Sequence, residues 1–144
     1  MAKMIGFSFE LLLYALLCAG SSLLIVDYIW YLLEKKLALL NKLPKEILED
    51  VSIGYFFSKY IMQLLFLVAV PSAIYSLFYL TLPFYGARAG IAVAFILFVL
   101  GIVPFTISLI MRVKLPLSYV LFQLSGFLIK LVLVYGIIGY FYIL

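Results

Sequence analysis

Four long apolar runs alternate with three polar breaks along the chain. The runs cover residues 9–33, 53–82, 89–111 and 117–143. Each is at least as long as the ~20 residues that a helix needs to cross a bilayer core. The pattern therefore predicts an all-α, polytopic membrane protein. Its single domain over 1–144 is an antiparallel bundle of four transmembrane helices, because PFYGAR and RVKLP leave room only for tight turns.

The first break, 34–52, holds the one sustained hydrophilic stretch. Leu37, Leu40, Ile47, Leu48 and Val51 recur there at intervals that include three and four residues, an amphipathic helical spacing. Pro44 suits a first helical turn, which needs no amide at that point. A short broken amphipathic helix in the headgroup plane is expected. At the start of the chain Lys3 precedes an apolar stretch, as in a signal peptide. Glu10 interrupts that stretch and hydrophobicity continues through Leu33, so it reads as a retained first span.

Two spans carry internal prolines, Pro71 and Pro104. Proline removes one helical hydrogen bond and crowds the carbonyl four residues back, which is Leu67 in the first case. VPSAIYSL from Val70 loosely echoes VPFTISL from Val103. Paired proline-broken spans mark some transporter centres, although two short apolar strings also coincide easily. Gly86, Gly90 and Ala94 form GxxxGxxxA, which lets two backbones approach closely, and Ala15, Ala19 and Ser22 make a second small stripe. Packing within the chain is the simpler use of both.

Lys130 changes the picture. It interrupts the apolar run SGFLIKLVLVYG near the middle of the fourth span, where insertion of a cation costs ~2.5–3.5 kcal/mol. It should therefore face protein or water and find a partner. Tyr119, Gln123, Gly126 and Lys130 share one helical stripe, the expected interior face. The best partner is Asp27 on the first span. Side chains lean towards their own helix N-terminus, so on antiparallel helices these two converge, and the lysine stem covers the remaining distance. Lys59 and Gln63, one turn apart, stand in the same half, as do Thr106, Ser108 and Arg112. Glu10 is the more natural neighbour of Arg88. The expected interior is polar towards one end and sealed at the other.

Composition agrees with lipid and narrows the chemistry. The chain is 69% hydrophobic and 11% charged, against about half and a quarter in soluble domains. It has no histidine, so no imidazole ligand or base. Cys18 is the lone cysteine, and four of the six carboxylates (Glu34, Glu46, Glu49, Asp50) sit in the first break. Phosphate-binding, dinucleotide-binding and nucleophile-elbow motifs are lacking. No enzyme, metal or cofactor is expected.

The net charge of +4 comes largely from lysines beside apolar segments. They read as orientation signals and contacts to lipid, not to nucleic acid. Lys35, Lys36, Lys42 and Lys45 should meet anionic headgroups of the bilayer. Lys59, Arg112 and Lys114 fall on the same side, against Lys3 and Arg88 opposite. This places both termini outside the cell membrane.

Two functions suit these features. The first is a non-enzymatic subunit, assembly or interaction protein of a larger membrane complex. The alternative is a small oligomeric transporter or channel for an anionic solute or lipid, working through Lys130 and Asp27 in a cavity whose cations outnumber its acids.

Overall fold

The computed structural model of the chain describes residues 9–45, 48, 52–78, 81, 83 and 85–142, and of Lys42 only the backbone. Four helices form an antiparallel bundle: α1 (Phe9–Lys36), α2 (Ile53–Phe78), α3 (Ala87–Arg112) and α4 (Leu117–Phe141). There is no strand among the described residues. All four helices are long and apolar enough to cross a membrane, which fits a multi-pass membrane protein.

The apolar runs place the helices, but two boundaries move. α1 continues through Glu34 to Lys36, three residues past the expected end, with Lys35 and Lys36 in its last turn. Cations there meet the negative end of the helix macrodipole. α2 is described to Phe78; residues 79, 80 and 82 of the expected span, and residue 143 of the fourth, lie outside the described residues. Ser52 caps α2, its hydroxyl accepting from the Tyr55 amide at 3.1 Å.

α4 is the central helix and packs chiefly against α3 and α1. Glycine permits the closest of these approaches. A Cβ on Gly139 would stand 2.6 Å from the Gly86 carbonyl oxygen, and one on Gly90 would collide with the Tyr135 carbonyl. The Gly86–Gly90–Ala94 seam is thus occupied within the chain. Ala19, Leu23, Val68, Tyr75, Ala89, Val134 and Ile138 build the main core at the end of the bundle away from the basic connections. α1 and α2 are tied by Tyr60, whose hydroxyl donates to the Gly20 carbonyl at 3.0 Å.

Both prolines are absorbed without breaking their helices. A π-helical segment, Leu64–Ala69, ends just before Val70–Pro71, and another, Phe98–Ile102, just before Val103–Pro104. In each, the valine amide bonds five residues back, to Leu65 and Phe98 respectively. The widened turn makes room for a ring that an α-helical ladder would reject. It also inserts a residue, which rotates everything beyond it by about 100°. The stripe of α3 that meets α4 through Gly90 and Ala94 is therefore not continued. From Val103 to Arg112 this helix has no buried residue and stands off the bundle.

The connection after α1 departs most from expectation. Ala38 adopts a left-handed conformation (φ 49°) and ends the helical path. A single 3₁₀ turn, Leu39–Lys42, follows, with Leu43 extended. Leu39 and Leu43 are buried, so this part folds beneath the bundle instead of lying out in the headgroup plane. Ile47 and Val51 of the expected amphipathic pattern, and the acids Glu46, Glu49 and Asp50, lie outside the described residues, as do Lys3, Tyr79 and Phe84.

Candidate functional site

Lys130 and Asp27 meet. The lysine Nζ donates to Asp27 Oδ1 across the α1–α4 interface, and each residue is only 6% exposed. It is the one ion pair among the described residues; Glu10 and Arg88, the other pairing expected from the sequence, do not form one. Gln63 of α2 completes the group. With its amide nitrogen towards Asp27 it donates to the two carboxylate oxygens at 3.2 and 2.5 Å. The network favours that orientation over the reverse, in which its oxygen accepts from Lys130 at 3.4 Å. The Phe127 ring lies 5.7 Å from the ammonium. A buried charge needs both a counter-ion and further hydrogen bonds, and three helices contribute to that here.

A cavity of about 510 Å³ runs from this group towards the basic connections. Asp27 lies on its wall with Glu34 of α1, Lys59 and Tyr55 of α2, and Tyr119 and Gln123 of α4. Leu40, Leu43 and Leu48 of the connection border it too. At the opposite end the core closes over the ion pair. Among the described residues that end is a packed core, which also buries Ser72 and Ser76.

Glu34 does not belong with the loop acids among which its sequence position puts it. It points inward and accepts from Gln123 Nε2 at 2.9 Å. The sequence does carry a signal for this: Glu34 follows Asp27 by seven residues, two turns along one helical face. Arg112 errs the other way, being exposed and absent from the cavity wall. The balance of charge changes accordingly. Asp27 and Lys130 compensate each other, so among the described residues one carboxylate, Glu34, and one ammonium, Lys59, are left facing the space. An excess of cations is not what lines it.

Thr106 and Ser108 of α3 also stay out of the polar group. Thr106 points its hydroxyl back to the Ile102 carbonyl at 2.7 Å, and Ser108 is exposed. Lys35, Lys36 and Lys45 are exposed at the basic end. Among the described residues no group of three or more His, Cys, Asp or Glu is placed to hold a metal ion.

Beside the polar group, Trp30 stacks on Phe122 with ring centroids 4.8 Å apart. A Cβ on Gly126 would stand 2.5 Å from its Nε1. This nitrogen is buried without an acceptor.

Comparison with known proteins leaves this geometry to stand alone. No family model, no curated protein and no solved structure matches the chain.

Proposed function

We propose that this chain is a non-enzymatic, multi-pass protein of the cell membrane, both termini outside, that binds a charged small molecule or lipid in its basic-end cavity. One observation carries the reading. The buried Asp27–Gln63–Lys130 group borders an open space that Glu34 and Lys59 also face. Its volume lies within the ~300–1,000 Å³ of small-molecule sites. Intramembrane ionisable groups beside a cavity are characteristic of solute and lipid pathways. Lys35, Lys36, Lys42 and Lys45 would hold the same end against anionic headgroups.

A second reading, an accessory subunit of a larger membrane complex or of a homo-oligomer, rests on Val103–Arg112. That segment has no buried residue and offers a face to a partner's span. The small-residue seam no longer supports this reading, since α4 fills it.

Intact-mass analysis from native membrane discs separates the two. Binding predicts a small-molecule or lipid adduct that disappears when Glu34→Gln and Lys59→Met are combined. A stoichiometric second chain in place of the adduct supports the subunit reading. A bare monomer refutes both.

A further inference from the structure

A second space of about 500 Å³, apolar in character, lies between α3 and α4 against Ile102, Phe105, Leu124 and Phe127. Leu109, Leu115, Tyr119 and Gln123 border both spaces. The two therefore adjoin along a shared wall, one charged and one oily.

The charged part offers opposite signs held apart. Glu34 has no cation within ion-pair distance, and neither has Lys59 an acid, among the described residues. Both face one cavity, and the lysine charge is near enough to act electrostatically on the carboxylate. A molecule carrying an ammonium and a phosphate would complete both at once. A purely anionic headgroup would satisfy Lys59 but confront Glu34, since the Lys130 charge is already taken by Asp27. A soluble zwitterion would leave the adjoining crevice unfilled.

We propose that the adjoining spaces together hold one zwitterionic phospholipid, its ammonium at Glu34, its phosphate at Lys59 and an acyl chain passing their shared wall to lie between α3 and α4. This deepens the binding function proposed above and rests on it.

The test presents the full chain, stripped of lipid in detergent, with equimolar palmitoyl-oleoyl phosphatidylethanolamine, phosphatidylcholine and phosphatidylglycerol, and reads retained lipid by native mass spectrometry. One zwitterionic lipid per chain should survive activation that removes phosphatidylglycerol, with a preference of roughly tenfold, as attraction between Glu34 and a headgroup cation, in place of repulsion from a headgroup without one, supports. Glu34→Gln should erase the preference, Lys59→Met should weaken all three lipids, and Leu124→Trp should displace the acyl chain. Equal retention of the three lipids by the unmodified protein overturns the proposal, whatever the variants do. In a parallel measurement with soluble phosphoethanolamine in place of the lipids, its retention where no lipid is retained overturns the proposal while leaving a ligand-binding cavity. Retention of neither overturns both. A second protein chain crosslinked through Phe105→Cys would assign the crevice to a partner helix and also overturn it.

Discussion

The backbone carbonyl of Tyr135 occupies the place where a side chain on Gly90 would begin. That contact, with the matching one between Gly139 and Gly86, sets how near α3 comes to α4. Gly90→Ala should therefore push the helices apart and destabilise the bundle by at least the ~1–3 kcal/mol typical of overpacking. Gly101, which has nothing within 4 Å of its would-be Cβ, is the control. Gly101→Ala should be neutral or stabilising by up to ~1 kcal/mol. Denaturant unfolding in detergent, followed by circular dichroism, compares them.

The Asp27–Lys130 pair should be costly to halve and cheap to remove. Asp27→Leu or Lys130→Met alone leaves an uncompensated buried charge, a loss of about 3–5 kcal/mol. Asp27→Leu combined with Lys130→Met should recover most of it. A double-mutant cycle on unfolding free energies reads the coupling, and strict additivity would disprove it.

Trp30 carries a buried donor with no acceptor, while its ring stacks on Phe122. Trp30→Phe keeps an aromatic face against Phe122 and discards that donor. Unfolding should change little, because the gain from removing an unsatisfied group, ~1–3 kcal/mol, offsets lost packing. Trp30→Ala should destabilise by about 3–5 kcal/mol. Thermal melts of the two variants separate these outcomes.

The one-sided cavity is open to chemical mapping. In a Cys18→Ala background, Tyr119→Cys should react with a membrane-impermeant thiol reagent applied from the side of the basic connections. Val134→Cys, in the sealed core, should stay unreactive from either side. Labelling of Tyr119→Cys only from the outer face of the cell membrane would reverse the proposed orientation.

The centre of the site is legible in the sequence because its logic is energetic. A cation in mid-span must find an acid, and side-chain lean with antiparallel geometry leaves Asp27 as the natural choice. Gln63 and Gln123 follow from helical periodicity. Glu34 shares a face with Asp27 by the same periodicity, but is concealed because apolarity falls at Leu33 whereas the helix runs on for three residues. Hydropathy marks the end of an oily run, not the end of hydrogen bonding. The path after Lys36 is hidden for another reason. Its stop is an alanine in a left-handed conformation, which alanine has little intrinsic tendency to adopt. The stand-off of Val103–Arg112 is harder still to foresee, since Pro104 announces a disturbance without saying which way the helix turns after it.

That disturbance has a consequence for how the protein could evolve or be redesigned. α3 is two rods spliced out of phase at Phe98–Ile102, and the gap beside α4 is a matter of residue count. Substituting larger side chains along the wall would narrow the opening but leave the phase error in place. Deleting Gly101 together with Pro104→Ala, so that the restored ladder meets no ring, should bring the rods into line and swing the tail of α3 onto its neighbour.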